Sequence, residues 1–193
     1  QNVNLDDTND PFNRLDFLSS RTEIKNGAEI FGTANNISVI GQKNYDGTTG
    51  RNEIKIINNG IIKHTGQNVI GIVTDFGSIE NNNTISLLGD SSIGIYGANE
   101  TLIKNTGKIE TGNNGIGIYG TNLLTALAPT YGSQKIEIEN SGEIKTAGAA
   151  GGIGVYSNNS NIAVAQSDAK VILGKKKKID TTSSVNGVGV YGK

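Results

Sequence analysis

The stretch Ile93-Gly94-Ile95-Tyr96-Gly97 decides the fold, because close copies of it return along the chain. The copies keep the order aliphatic, glycine, aliphatic, tyrosine, and they occupy residues 116–120, 153–157 and 188–192. Weaker copies without the tyrosine occupy residues 37–41 and 70–73. The second residues of successive copies are spaced by 33, 23, 23, 37 and 35 residues. A period between 20 and 50 residues is typical of solenoids and propellers.

Within each repeat, apolar and other residues alternate, as in Ile136-Glu137-Ile138-Glu139. Alternation with a period of two indicates β-strands, and the apolar positions are nearly all branched aliphatic residues, which favour strands. A leucine-rich repeat would need a helical half, and a propeller blade would need about twice this length. The sequence therefore predicts an all-β fold, a right-handed parallel β-helix with about 23 residues per coil.

This fold predicts columns of stacked side chains. We expect Ile93 and Ile95 to point inward and to stack on Ile116 and Ile118 of the next coil. Four asparagines occupy one equivalent turn position and are expected to form a second column, with their amides bonded between coils or to the turn: Asn58, Asn81, Asn105 and Asn140. The glycine two residues after the asparagine is expected to take a positive φ at Gly60, Gly107 and Gly142.

Three repeats are longer than the basic unit, and their extra residues follow the same strand, at 42–50, 122–134 and 158–168. All three loops should therefore leave the rod at one corner. Insertions on one face of a repeat protein often form its binding face, and the alternative is tolerated surface decoration. The candidate binding residues in or beside these loops are Lys43, Tyr45, Asp46, Leu123, Leu124, Leu127, Tyr131, Asn159 and Asn161.

The tyrosines of the repeated phrase form a candidate aromatic column of Tyr96, Tyr119, Tyr156 and Tyr191. By alternation they oppose the inward aliphatic residues and should lie on the outside of the rod or beneath a loop. We interpret the column as a structural ladder. The alternative is an exposed stripe that stacks on sugar rings.

The first 20 residues do not match the repeat, and a proline after Asp10 followed by spaced apolar residues is typical of a capped short helix. Residues 1–20 are predicted to be an N-terminal cap or linker, and residues 21–193 the β-helix segment. The chain begins without a leader and stops directly after a strong repeat. We therefore expect a processed or internal segment that further coils follow.

Composition and motifs give little sign of chemistry. The formal net charge of −1 provides no general attraction to nucleic acid or to an anionic membrane, and cysteine is absent. Residues 115–120 match the dinucleotide fingerprint literally, but a loop follows them where that site needs a helix. We predict no cofactor, no metal site and no nucleic-acid partner.

Glu137 and Glu139 share the outer face of one strand, and two carboxylates can hydrolyse glycosides, as an alternative reading of this rod. Nearby Lys135 and Lys145 favour surface ion pairs instead. His64, the one histidine of the sequence, is expected to be solvated near a turn. The chain is predicted not to be an enzyme.

The phrases Gly-Ile-Gly-Ile-Tyr-Gly and Asn-x-Gly-x-Ile, in a chain rich in Asn, Ile and Lys, resemble the passengers of fusobacterial type V autotransporter adhesins. The resemblance covers about residues 21 to 193 and rests on the style of the repeat. It implies a single-chain rod at the cell surface, anchored by a C-terminal outer-membrane β-barrel that is absent from this sequence. It also implies attachment to host cells or to partner bacteria, through glycans or protein receptors.

Three functions remain open from the sequence. The first is adhesion by loops on a rigid rod, the second is a spacer that carries a distal adhesive tip, and the third is a polysaccharide-active enzyme. The one-sided loops favour the first over the second. The absence of a convergent acid, base and cation motif argues against the third.

Overall fold

The computed structural model describes residues 20–36, 38–43, 54–122, 135–159, 168–174, 178–181 and 185–193. Over these residues the regular structure is entirely β-strand, sixteen strands in two parallel sheets of ten and six. The strands are β1 (Ser20–Ile24), β2 (Glu29–Gly32), β3 (Ser38–Lys43), β4 (Ile54–Asn58), β5 (Ile61–His64), β6 (Ile70–Asn81), β7 (Thr84–Leu87), β8 (Ile93–Asn105), β9 (Lys108–Thr111), β10 (Ile116–Asn122), β11 (Lys135–Asn140), β12 (Glu143–Thr146), β13 (Ile153–Asn159), β14 (Asp168–Leu173), β15 (Ile179–Asp180) and β16 (Val188–Gly192).

The strands wind into six coils that share three faces. The first face stacks β1, β4, the second halves of β6 and β8, then β11 and β14. The second face stacks β2, β5, β7, β9, β12 and β15. The third face stacks β3, the first halves of β6 and β8, then β10, β13 and β16. The predicted parallel β-helix is confirmed.

The core is a column of isoleucines contributed by all three faces. One coil supplies Ile103, Ile109 and Ile118, which are fully buried together in the centre of the rod. The equivalent residues of the neighbouring coils lie above and below them in register. Because burying one such side chain contributes about 1.5–3 kcal/mol, the stacked column supplies much of the stability. No single coil can bury its apolar side chains without its neighbours.

The register of the repeated phrase is as predicted, but its alternation is not. Ile116 pairs with Ile93, and Ile118 pairs with Ile95. Only Ile95 and Ile118 are fully buried in the core, whereas Ile93 and Ile116 remain partly exposed. The expectation that both isoleucines of each phrase point inward was therefore wrong.

The glycine of the phrase explains the break in alternation. A Cβ placed on Gly117 would lie 2.4 Å from Cγ2 of Ile144 on the second face and 2.6 Å from the carbonyl oxygen of Gly154. A Cβ on Gly71, Gly94 or Gly154 would likewise meet the equivalent isoleucine and glycine of the following coil. The glycine thus faces the interior at a point where the rod is too narrow for a side chain, and the preceding isoleucine turns outward.

The predicted asparagine column is present and buried at the turn between the first and second faces, which we call the ladder turn. Asn58 donates from Nδ2 to Oδ1 of Asn81, Asn81 donates to Asn105, and Asn105 donates to Asn140, each at 2.7 Å. Their side chains are at most 3% exposed. Each buried hydrogen bond of this kind contributes about 0.5–1.5 kcal/mol. The column therefore ties four successive coils together.

The glycines that follow the column do not have the predicted positive φ. They are needed because the previous coil approaches closely. A Cβ on Gly107 or Gly142 would lie 2.0 Å or 2.1 Å from a carbonyl oxygen of the coil before it. Five positive φ angles fall two residues before the third face begins, at Asn36, Asn68, Ser91, Asn114 and Asn186, and the others among the described residues are at Gly27, Gly77 and Asn99. Asparagine tolerates this left-handed conformation better than most residues.

Candidate interaction surface

The three long connections leave the rod at one corner, between the third face of one coil and the first face of the next. We call it the loop corner. β3 ends at Lys43, β10 at Asn122 and β13 at Asn159, and the following strands β4, β11 and β14 all belong to the first face. The two remaining crossings of this corner lie within β6 and β8. In β6 only one residue separates Asp75 from Gly77, so the corner itself needs almost no chain.

Two of the candidate binding residues lie in the described part of the chain. Lys43 is the last residue of β3 and lies opposite Asp75 of β6 in the strand register. Asn159 ends β13, pairs with Asn122, and donates its backbone N–H to the carbonyl oxygen of Lys193. The others lie outside the described residues, at Tyr45, Asp46, Leu123, Leu124, Leu127, Tyr131 and Asn161. For these the assignment as binding residues stays a prediction.

The loop corner is lined by small polar side chains that were not singled out from the sequence. Thr74, Thr121 and Ser157 are buried, and their hydroxyl oxygens have no hydrogen-bond partner among the described residues. Asp75 accepts a hydrogen bond of 2.5 Å from Nδ2 of Asn99 in the next coil. A buried hydroxyl without a partner costs about 1–3 kcal/mol, so the polar groups of this corner are satisfied less completely than those of the ladder turn. The sequence signals at the second and third insertions were Thr121-Asn122 and Ser157-Asn158-Asn159, whereas the first insertion has no such run.

The four tyrosines form a continuous stack on the outside of the third face. Ring centroids are 5.1 Å apart for Tyr96 and Tyr119, 4.7 Å for Tyr119 and Tyr156, and 5.1 Å for Tyr156 and Tyr191. The rings lie within 14° to 16° of parallel. These distances are close to the spacing of strands in a sheet, so the stack follows the axis of the rod.

This stacking decides which part of each ring can meet a partner. The faces of Tyr119 and Tyr156 are covered on both sides by their neighbours, so only the ring edges and hydroxyls remain for contact. A sugar that stacks on an aromatic residue needs an open ring face. For Tyr119 and Tyr156, the geometry therefore favours a structural ladder over a sugar-stacking platform.

The outer surface of the third face carries no charge along the repeated phrases. Residues 69–74, 92–97, 115–120, 152–157 and 187–192 contain no Asp, Glu, Lys or Arg. Beside the tyrosines runs a second column of partly exposed aliphatic residues, which includes Ile93, Ile116 and Ile153. The result is a flat aliphatic and aromatic strip that borders the loop corner.

The other two faces carry ion pairs between coils. Lys55 pairs with Glu80 at 3.0 Å on the first face, and Lys145 pairs with Glu110 at 3.3 Å on the second. Glu137 and Glu139 also pair between coils, with Lys170 at 3.2 Å and Lys104 at 3.6 Å. The expected surface ion pairs of these two glutamates are present, but their partners are lysines of neighbouring coils rather than Lys135 or Lys145, because stacking brings the coils close together.

Tyr96 and Glu110 are two of the described groups whose pKa values are displaced by their surroundings. Burial, the neighbouring Tyr119 and then Asp75 raise the pKa of Tyr96 above its ordinary value, so its hydroxyl stays protonated at physiological pH. Partial burial raises the pKa of Glu110, but hydrogen bonds and charge from Lys108 and Lys145 outweigh it and leave that pKa below its ordinary value. Neither shift is that of an acid or base poised near neutral pH.

His64 is buried rather than solvated, contrary to expectation. It ends β5 with only 2% of its surface exposed, and its Nδ1 accepts the backbone N–H of Gly66 at 3.0 Å. A Cβ on Gly32 of the preceding coil would lie 2.4 Å from its ring. The sequence did contain a signal for this inward position, because His64 lies two residues after the buried Ile62 in the same strand. That alternation predicts burial better than the polar neighbours of His64 predict exposure.

Within the described residues, no group of three or more His, Cys, Asp or Glu side chains is arranged to hold a metal ion. The same residues contain no helix that is long and apolar enough to span a membrane. Comparison of the chain with protein-family models, with curated proteins and with solved structures gives no match.

Proposed function

We propose that this chain is a segment of the surface-exposed passenger of a bacterial autotransporter adhesin, which attaches to host cells or to other bacteria. The observation that carries the proposal is that all three long connections leave one continuous rod at the loop corner. A rigid scaffold that presents variable connections on one side is a common way to build a binding surface. The receptor is a glycan or a protein.

The proposed activity is binding without catalysis. Glu137 and Glu139, the two carboxylates considered for glycoside hydrolysis, are each held by a lysine of a neighbouring coil. A glycosidase needs one carboxyl group with a raised pKa to donate a proton, and two carboxylates paired to lysines are poorly suited to that task. The pairing therefore supports an adhesive or structural role over an enzymatic one.

A second candidate is a spacer that holds a distal adhesive tip away from the cell. The buried asparagine column and the ion pairs between coils favour it, because both features stiffen the rod along its axis. The two candidates differ in what the loop corner does. In a spacer, the connections there would be expendable.

The experiment removes the connections one at a time at junctions that the register defines. Deleting residues 123–134 leaves three residues between Thr121 and Glu137, the same number that separates the paired residues Ala98 and Leu102 in the coil before. Deleting residues 160–167 leaves the same three residues between Asn158 and Lys170 in the next coil. Deleting residues 44–52 leaves one residue between Lys43 and Ile54, the same number that separates their partners Asp75 and Gly77. Each variant should therefore keep the rod continuous.

Binding of each purified variant to epithelial cells, immune cells and partner bacteria is then measured against the intact chain. Saturable binding that one deletion removes, with the β-sheet circular dichroism retained, would place the receptor site in that connection. A well-folded intact chain that shows no saturable binding to any of these cells would favour the spacer. Cleaved product from an added polysaccharide would contradict both.

A further inference from the structure

Asparagine followed by glycine is the pair of residues most open to a self-reaction that needs only water. The backbone nitrogen of the glycine bonds to the side-chain carbonyl carbon of the asparagine and expels ammonia, which takes up the displaced proton. Water then opens the resulting cyclic imide on either side, giving aspartate or isoaspartate. Such thermolabile asparagines react according to how freely their backbone can move.

The sequence contains four such pairs, at Asn26-Gly27, Asn59-Gly60, Asn114-Gly115 and Asn186-Gly187. Residues 182–184, close to the last pair, lie outside the described part of the chain, and that pair is therefore left out of the comparison. The other three share one chemistry but have different surroundings. They form an internal comparison in which only the local structure varies.

Asn59 and Asn114 are held in place. The side-chain amide of Asn59 donates to Glu23 at 2.9 Å and accepts from Asn82 at 3.0 Å, while the backbone N–H of Gly60 donates to Oδ1 of Asn58 at 3.2 Å. The backbone N–H of Gly115, which would attack Asn114, donates to the carbonyl oxygen of Gly112 at 3.2 Å. Either reaction first requires these hydrogen bonds to break.

Asn26 lies in an open turn between β1 and β2. The turn is closed by the backbone N–H of Ala28, which donates to the carbonyl oxygen of Lys25 at 3.0 Å, and Gly27 has a φ of 84°, as in a type II turn. The attacking N–H of Gly27 is not part of that closing bond. A Cβ built on Gly27 would meet no atom within 4 Å, and residues 25–28 are all exposed. Among the described residues, none packs against this peptide closely enough to resist its rotation.

The asparagines of the buried column are protected in a different way. The backbone N–H that would attack each of them already donates to a carbonyl oxygen of the coil before, at 2.8 Å, from Asn59, Asn82, Thr106 and Ser141. The residue after each column asparagine is also never glycine. The rod therefore protects the amides on which it depends.

We propose that Asn26 is a site of spontaneous deamidation in the folded rod, and that Asn59, Asn114 and the asparagine column stay intact while the rod is folded. The product adds a negative charge to the turn that joins Glu23 of β1 to Glu29 of β2, and isoaspartate also adds one carbon to the backbone there. The change falls outside the core and the asparagine column. Deamidation therefore modifies the first coil over time without unwinding the rod.

The test incubates the intact folded chain at mildly alkaline pH and 37 °C, with peptide mass spectrometry to locate each conversion of amide to acid. We expect Asn26 to react at least about tenfold faster than Asn59 and Asn114, because their reaction waits for local opening. In concentrated urea the three rates should converge, since all share the same Asn-Gly chemistry. An Asn26→Gln variant, which keeps the amide but lengthens the side chain, should remove the early product.

Three results would overturn the proposal: equal rates at the three positions in the folded chain, earlier reaction at Asn59, Asn114 or any column asparagine, or an undiminished early product in the Asn26→Gln variant. The urea arm shows whether each peptide can be detected and can react. A folded chain that stays unmodified at Asn26 while the urea sample reacts there would equally contradict it.

Discussion

The ladder turn and the loop corner are both polar corners of the same coils, yet they differ in how their polar groups are satisfied. At the ladder turn, Asn58, Asn81, Asn105 and Asn140 bond to one another through the interior. At the loop corner, the hydroxyls of Thr74, Thr121 and Ser157 are buried without partners among the described residues. One corner satisfies its buried polar groups with its own side chains, whereas the other leaves buried hydroxyls without a partner among the described residues.

The difference shows where a β-helix tolerates change. An insertion at the ladder turn would separate two amides that must lie within hydrogen-bond distance, and the four coils from β4 to β11 all keep two residues there. An insertion at the loop corner interrupts no column of this kind. Long connections therefore collect at the corner where they cost the rod least.

The largest expected effect is at the ladder turn. Asn105→Asp replaces an amide that accepts from Asn81 and donates to Asn140 with a carboxylate that can only accept. The buried charge would face the oxygen of Asn140, so we expect a loss of roughly 3–5 kcal/mol in the free energy of unfolding at neutral pH. Urea unfolding would measure it. Part of the loss should return in acid, where the protonated carboxyl can donate.

The matched control is Asn82→Asp, one residue past the column in the coil before. Asn82 is exposed, and its side chain bonds to Asn59 and Thr106 on the surface of the same turn. We expect a change within about 0.5 kcal/mol, as for most surface substitutions. Equal losses for the two variants would mean that burial of the column does not decide stability.

The narrow interior of the third face gives the next largest effect. Gly117→Ala places a Cβ 2.4 Å from Ile144, whereas Gly189→Ala, at the same repeat position in the last coil, meets no atom within 4 Å. We expect the first to cost about 1–3 kcal/mol through overpacking and the second to be close to neutral. Thermal unfolding of both variants would test this. A tolerated Gly117→Ala would show that the coils can shift apart.

The tyrosine stack should stabilise the rod beside the loop corner to a smaller extent. Tyr119→Ala removes two ring contacts, with Tyr96 and with Tyr156, and aromatic pairs contribute about 0.5–1.5 kcal/mol each beyond their buried area. Tyr119→Phe keeps both contacts and should change the free energy of unfolding little. If the phenylalanine variant lost as much as the alanine variant, the hydroxyls rather than the rings would hold the stack together.

The smallest effect concerns an ion pair on the second face. Because the pKa of Glu110 is lowered in the folded state, its contribution is present above the ordinary glutamate pKa and is lost as the pH falls through the folded value. Glu110→Gln should therefore cost at most about 1 kcal/mol at neutral pH and nothing in strong acid. The free energies of unfolding of Glu110→Gln and of the intact chain, measured from neutral to acidic pH at low and high salt, would show this difference. A difference in stability between the two chains that persists in acid would mean that packing of Glu110, not its charge, causes the difference.

The sequence predicts a large part of this fold, because a repeat places the same residue type at the same point of every coil. The strand register, the asparagine column and the loop corner all follow from counting. The inward or outward direction of Ile116 does not, because the break in alternation depends on how close Ile144 comes from another face. The role of Gly107 likewise depends on a carbonyl group of the coil before it.

The site is less predictable than the fold. The ion-pair partners of Glu137 and Glu139 lie 33 and 35 residues away in sequence, and stacking selects them over the nearer lysines. The orientation of the tyrosine rings, which decides whether a sugar can stack on them, depends on the spacing between coils. Alternation correctly places a residue on the outside, but it does not say which part of the side chain is open.

The most direct test of the account is binding by a chain that lacks residues 44–52, 123–134 and 160–167 together. We expect this rod to unfold at nearly the same urea concentration as the intact chain, because the asparagine column and the core are unchanged. We also expect saturable binding to epithelial cells or partner bacteria to be lost. Undiminished binding by the shortened rod would contradict the claim that the loop corner is the adhesive surface.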